Sequence, residues 1–173
     1  MKKVYIVLTY TGTLLSRLVK LYTRKEFSHV SISLDENLEN MYSFGREYPY
    51  LLLPAGFVRE GVNFGTFKRF KKTKTAIYSL QVSDSQYDNL KQEIERFNRN
   101  KKNYDFNIMG LFTAMFRLKL KRERKLYCAE FVKVVLDDAG VITNLPNCVR
   151  PDDFKYIEGL KLVYIGKLKN YRI

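Results

Sequence analysis

The spacing of apolar and polar residues predicts a chain of short strands mixed with amphipathic helices. Alternating or compact apolar runs predict strands at 4–10, 28–34, 40–46, 75–82 and 161–168. Apolar residues three and four positions apart predict helices at 12–22, 83–100, 104–116 and 128–139. The segment 49–65 contains proline and glycine and is expected to be loop with a short hairpin. This order, without a regular βαβ repeat, predicts the α+β fold class.

Two of these helices have a clearly defined apolar face. In the helix 12–22, the residues expected to face the core are Leu14, Leu15, Leu18, Val19 and Tyr22. The helix that begins at Cys128 has one apolar face and ends at Gly140. A thiol in the first turn of a helix feels the positive end of the helix dipole, which favours the thiolate. Cys128 is therefore a candidate nucleophile, although a buried core cysteine would fit the same apolar face.

His29 is the only histidine of the chain and lies in the predicted strand 28–34. The apolar residues of this strand occupy its even positions, whereas His29 shares the other face with Ser31 and Ser33. His29 is a candidate general base, and a surface or structurally hydrogen-bonded histidine is the alternative. A cysteine at a helix start and a histidine on a strand are the two groups that a cysteine hydrolase needs.

Composition indicates one folded domain, 1–173, with a strong positive charge. The chain has 173 residues, 46% of them hydrophobic, and 31 Lys and Arg against 18 Asp and Glu, for a net charge of +13. Two cysteines do not make a disulfide framework, and no signal peptide or transmembrane helix is expected, so the cytoplasm is the expected location.

Basic residues are concentrated in two segments, 68–74 and 117–125, and the second contains six cations. The segment 117–125 comes directly before the Cys128 helix. It either forms a solvated surface or recruits an anionic substrate or membrane to the thiol, so peripheral membrane contact through 117–125 is one expectation. No specific nucleic acid is expected as a partner, because a protein of this charge binds polyanions weakly whatever its function.

Four segments carry a family resemblance: Phe27–Ile32, Met41–Arg46, Tyr104–Phe106 and Tyr127–Val132. They resemble the circularly permuted papain-fold thiol hydrolases of the NlpC superfamily, and most closely the YiiX-like branch. The cysteine segment also resembles the Asn-Cys-Glu-His-Phe-Val run of lecithin:retinol acyltransferase-like enzymes. Histidine precedes cysteine here, as in the permuted group. The resemblance implies an antiparallel sheet packed against a helix that starts at the nucleophilic cysteine.

The resemblance also implies a third polar group, on the strand after the histidine strand, that orients the imidazole. Ser43 is the polar candidate at that place, and Tyr127 and Tyr42 are candidates for binding substrate. A Cys-His dyad, a backbone carbonyl or a more distant acid such as Glu130 are the alternatives to Ser43.

The resulting hypothesis is a cysteine hydrolase that acts on an amide or ester of a peptide or lipid. Cys128 would form a thioester acyl-enzyme with His29 as the base, and neither a metal nor a cofactor is expected. A zinc site of His29, Cys128 and Cys148 lacks paired Cys-x-x-Cys spacing. Two alternatives remain open: an acyltransferase acting on lipid substrates, and a catalytically silent basic module that binds nucleic acid or anionic membrane.

Overall fold

The structure is a computed structural model that describes residues 1–51, 53–118 and 123–172. Its strands are β1 (Lys2–Tyr10), β2 (His29–Ser33), β3 (Met41–Arg46), β4 (Ala55–Glu60), β5 (Lys74–Val82), β6 (Asp105–Phe106), β7 (Lys125–Leu126) and β8 (Lys161–Lys167). Its helices are α1 (Leu14–Thr23), α2 (Gly65–Arg69), α3 (Asp84–Arg99), α4 (Ile108–Met115) and α5 (Cys128–Asp138). Short 3₁₀ turns occupy Lys101–Asn103, Pro151–Tyr156 and Leu168–Asn170.

Six of the described strands form one antiparallel sheet in the order β4-β3-β2-β1-β5-β8. Strand β1 lies in the middle, where both of its faces are covered, which explains its unbroken apolar run from Val4 to Leu8. Strands β6 and β7 form a separate parallel pair. The α+β class predicted from the residue pattern is therefore confirmed, and the sheet is mostly antiparallel.

The main core lies between one face of the sheet and the helices α3 and α5. At its centre the ring of Phe44 on β3 lies 5.3 Å from that of Phe131 on α5 and 6.0 Å from that of Phe97 on α3. Aromatic pairs at these separations add attraction beyond the burial of their surface. These contacts hold α5 against β2 and β3, and so determine where the first turn of α5 lies.

The opposite face of the sheet carries a smaller core, in which Tyr5, Val7 and Ile77 pack with Phe67 of α2. This second face is the one that carries His29. The register places His29 opposite Thr9 of β1, and Ser31 opposite Val7.

Two sequence expectations differ from the structure. The segment 49–65 contains a regular strand, β4, which pairs along its whole length with β3. In α1 the expected buried stripe is only partly buried: Val19 is covered, but Leu14 is 76% exposed and Tyr22 is 55% exposed. None of the helices in the described residues is long and apolar enough to cross a bilayer.

Candidate active site

Cys128 is the first residue of α5. The helix begins there because Glu130 accepts a hydrogen bond from the backbone N–H of Tyr127, at 3.2 Å, through its Oε2 atom. Cys128 is only 3% exposed, but it lines a cavity together with His29 and Glu60. The first N–H groups of a helix have no partner within it. A carbonyl oxygen held beside this thiol would therefore meet backbone hydrogen-bond donors.

His29 is the first residue of β2, so it lies at the end of the strand, within reach of the first turn of α5. Its Nε2 atom lies 3.1 Å from Oε2 of Glu60. The carboxylate comes from the last residue of β4, two strands away from the histidine strand. The acid that neighbours the imidazole is thus remote in sequence, and its side chain reaches His29 across the intervening strand β3.

Three hydrogen-bond donors converge on Oε2 of Glu60. Besides His29, the Oγ of Ser31 donates at 2.6 Å and the Oγ of Ser43 at 3.0 Å. Strand parity explains the convergence, because these side chains on β2, β3 and β4 all project from one face of the sheet. Glu60 is buried, and burial by itself raises the pKa of a carboxyl group. The charge of His29 and the hydrogen bonds from His29, Ser31 and Ser43 outweigh burial and lower the pKa of Glu60.

The histidine interacts with two negative groups. Burial by itself lowers the pKa of His29, but the interactions of the imidazole with Glu60 and with Cys128 raise that pKa to about 10. Since Nε2 faces Glu60, Nδ1 is the ring nitrogen left to interact with the thiol. At neutral pH His29 is therefore an imidazolium held between a carboxylate and the cysteine sulfur.

Ser43 lies beside the histidine, with its Oγ 3.2 Å from Nε2. Ser43 does not act alone there, because the Oγ of Ser31 also lies beside Nε2 of His29 and Ser43 itself donates to Glu60. A carboxylate stabilises an imidazolium far better than a hydroxyl, so Glu60 is the group that orients the ring. Glu130, the acid considered from the sequence, instead caps α5.

The two tyrosines expected to bind substrate lie outside the cavity. Tyr127 is 2% exposed, and its hydroxyl donates to the carbonyl of Val149 at 2.8 Å. Tyr42 projects from the other face of β3, where its ring stacks on that of Phe57 at 6.0 Å. Both side chains have packing partners in the core, so we do not include them in the proposed site.

The cavity itself is largely apolar, and Arg46 adds a second cationic side chain to that of His29. Its apolar walls are formed by Leu15, Val19, Phe44, Phe67, Phe106 and Leu111. Among the described residues that line it, Arg46 is the only Lys or Arg. The guanidinium carbon of Arg46 lies 5.5 Å from the centre of the Phe70 ring. No described carboxylate lies within ion-pair distance of Arg46, although the charge of Glu60 acts on it. An anionic group entering the cavity would find this charge available.

The second cysteine is in a different environment. Cys148 does not line the cavity, and burial raises the pKa of its thiol. The zinc set of His29, Cys128 and Cys148 is therefore not brought together. Across residues 1–51, 53–118 and 123–172, no group of three or more His, Cys, Asp or Glu side chains is placed to hold a metal ion.

The basic segment 117–125 is only partly described, since its residues 119–122 lie outside the described ranges. Arg117 forms a bidentate ion pair, in which its two terminal nitrogens bind the two carboxylate oxygens of Asp153 at 2.8 and 2.9 Å. Lys125 pairs with Asp105 at 3.1 Å. Neither of these cations is a free charge for recruiting a partner.

Comparison with known proteins supports the fold. The chain has an α+β fold shared with a solved bacterial protein, the metalloprotein YiiX from Escherichia coli O157:H7, DUF1105. The TM-score is 0.61 at 15% sequence identity, and the alignment covers 96% of this chain and 98% of that one. No protein-family model matches the chain, and no curated protein sequence matches it.

Proposed function

We propose that this protein is a cysteine hydrolase of the permuted papain-like type, with Cys128 as nucleophile, His29 as acid and base, and Glu60 as the residue that orients His29. The observation that carries the proposal is that Cys128, His29 and Glu60 line one cavity, with Nε2 of His29 3.1 Å from the carboxylate of Glu60. Since Nε2 of His29 faces Glu60, the other ring nitrogen would exchange a proton with the sulfur while Glu60 stabilises the charged form of the imidazole.

The chemistry begins with attack of the Cys128 thiolate on an acyl carbonyl carbon, which forms a C–S bond and an oxyanion. Backbone N–H groups at the start of α5 would stabilise that oxyanion. As the C–N or C–O bond to the leaving group breaks, His29 transfers its proton to the departing nitrogen or oxygen. His29, now neutral, takes a proton from water, whose oxygen attacks the thioester and releases the acid and the thiolate. If an alcohol or amine takes the place of water, the same residues catalyse acyl transfer.

The cavity suits a substrate that has an apolar part and a negative charge. Its apolar walls would hold hydrocarbon groups, and Arg46 would pair with a carboxylate or phosphate of the substrate. A bidentate guanidinium contact would also fix the orientation of the acyl group relative to the sulfur.

A metal is not part of this proposal. YiiX is described as a metalloprotein, but the donor atoms here do not suit a metal ion. Nε2 of His29 is already hydrogen-bonded to Glu60, and the described residues supply no group of three ligands.

Thiol labelling tests the proposal within one molecule, because Cys148 is an internal control. We expect iodoacetamide at pH 7 to alkylate Cys128 much faster than Cys148, as measured by mass spectrometry of the digested protein. The variant His29→Gln should slow labelling of Cys128 by about 10²-fold, the usual contribution of a positioned base. Cys148→Ser should leave the labelling of Cys128 unchanged. Equal slow labelling of both thiols in the folded protein would refute the enzyme and favour a silent binding module.

A further inference from the structure

The outer faces of α1 and α4 form an exposed apolar surface. On α1, Leu14 is 76% exposed and Leu21 is 70% exposed. They are seven positions apart, two helical turns, and so lie on one side of the helix. Tyr22, in the last turn, is 55% exposed and continues this side.

Helix α4 extends the same surface. Phe112 and Phe116 are 39% and 61% exposed, and Leu118, just beyond the helix, is 62% exposed. The ring of Phe116 lies 5.8 Å from that of Tyr22, which connects the two helices at their outer side. Large apolar side chains gathered on one surface, rather than scattered singly, mark a place where another apolar phase or partner binds.

The charges within the two segments that form this surface are all positive, and Glu26 is the first acid beyond α1. Neither 14–25 nor 108–118 contains an Asp or Glu. Arg17, Lys20, Arg24 and Lys25 lie among and beside the exposed apolar residues of α1. An apolar helix face flanked by cations is the arrangement of proteins that lie on anionic membranes. A second copy of the chain is a poor occupant, because a two-fold dimer would place these cations against one another.

We propose that the outer faces of α1 and α4 dock onto an anionic lipid surface, with the apolar side chains inserted and the α1 cations against the headgroups. The inner faces of the same two helices carry Leu15, Val19 and Leu111, which line the Cys128 cavity. Docking would therefore bring the cavity to within about one helix diameter, ~10 Å, of the lipid. The binding does not depend on the chemistry of Cys128, so it stands or falls apart from the proposed hydrolase.

Vesicle co-sedimentation tests the docking. The full chain should bind vesicles of 70% phosphatidylcholine and 30% phosphatidylglycerol at low salt, bind pure phosphatidylcholine at least tenfold more weakly, and be released by about 1 M salt. The double variant Leu14→Ser, Leu21→Ser should lose at least about tenfold in binding. The matched control is Ile142→Ser, Leu162→Ser, which removes two apolar residues that are 82% and 56% exposed elsewhere on the molecule and should bind like the parent.

Charge is tested in the same assay. Arg24→Gln with Lys25→Gln should weaken binding by about tenfold or more. Lys71→Gln with Lys72→Gln, which removes the same number of charges from the basic segment 68–74, should change it little. Cys128→Ala should bind as the parent does. Absence of binding at low salt, equal losses in test and control variants, or a dimer that Leu14→Ser and Leu21→Ser dissociate would each overturn the proposal.

Discussion

Oε2 of Glu60 lies 3.1 Å from Nε2 of His29, although the two residues are 31 positions apart and strand β3 lies between their strands. The contact needs β2, β3 and β4 in their observed register, because a shift of one residue in any of these strands would turn its polar side chains to the other face. The imidazole is therefore oriented by the sheet as a whole rather than by a local turn.

The charge state of His29 can be measured directly, since the chain has no other histidine. In an NMR titration we expect its imidazole signals to stay those of the charged ring through neutral pH and to change near pH 10, because Glu60 and Cys128 raise its pKa. Glu60→Gln should lower that pKa markedly, since the largest favourable charge is removed. Glu158→Gln, which removes an exposed acid, should not. A titration near 6.5 in the parent protein would show that the ion pair does not form.

Arg46 should make the site selective for anionic reagents. Iodoacetate and iodoacetamide have nearly the same size and differ by one negative charge, so the ratio of their alkylation rates at Cys128 reports the local potential. We expect Arg46→Gln to lower the rate with iodoacetate about tenfold relative to that with iodoacetamide. Arg59→Gln is the matched control, because Arg59 is exposed on the same sheet and does not line the cavity. If both variants change the ratio equally, the ratio depends only on the net charge of the protein, and Arg46 does not attract anionic reagents to the cavity.

The ion pair of His29 and Glu60 should also make the free energy of unfolding depend on pH in a specific way. The folded-state pKa of His29 is raised above its unfolded value of 6.5, so the folded protein holds the proton more tightly. The stabilisation is complete below about pH 6.5, declines as the pH rises, and is lost above about pH 10. The pKa of Glu60 is lowered in the folded protein. The stabilisation from Glu60 is therefore lost at acid pH, as the pH falls below 4.5, the usual pKa of a Glu carboxyl group.

Urea denaturation at several pH values measures this dependence. The difference in the free energy of unfolding between the parent protein and His29→Gln should shrink steadily from pH 6.5 to pH 10. Taking the difference cancels the titration of lysines and tyrosines that both proteins share. A difference that stays constant over this range would contradict a protonated His29.

The aromatic core that holds α5 against the sheet should be costly to disrupt. Phe97 is 2% exposed, and its ring lies 5.1 Å from that of Phe131. Phe97→Ala should lower the free energy of unfolding by about 3–5 kcal/mol, through lost burial and the cavity left behind. Ile142→Ala, at an exposed position, should change it by less than about 0.5 kcal/mol. A small loss for Phe97→Ala would mean that this core repacks easily.

Local patterns predicted much of the fold and two of the candidate residues. The apolar face of α5 and the parity of β2 placed Cys128 at a helix start and His29 opposite the apolar face of its strand, and the structure has both there. Both features depend only on residues close to each other in the sequence, within one or two helical turns or a few strand positions. Hydrophobic periodicity predicts structure over that range.

Glu60 was missed because its strand has weak local signals. Strand β4 follows Pro54, contains Gly56 and precedes Gly61, all of which favour loop or turn. The strand forms because it pairs with β3, and this long-range pairing cannot be predicted from the local residue pattern of β4. One signal was present: Phe57 and Arg59 alternate with Val58 and Glu60, which places the acid on the face opposite to Phe57.

The exposed stripe of α1 was misassigned for a related reason. Periodicity identifies an apolar face but not what covers it, and here the stripe is wider than the part that the core covers. Within the predicted stripe Val19 faces the protein, while Leu14 and Tyr22 face outwards.

The convergence of three donors on one carboxylate oxygen has a consequence for tracing the ancestry of this protein. Since Ser31, Ser43 and Glu60 must share a sheet face with His29, distant relatives should keep the alternation of these four positions even where every apolar residue has changed. The resulting signature runs His-x-Ser on one strand, Ser on the next and Glu at the end of the third, followed by Cys at a helix start. A search for that spaced pattern would recover homologues whose overall identity has fallen too low for alignment.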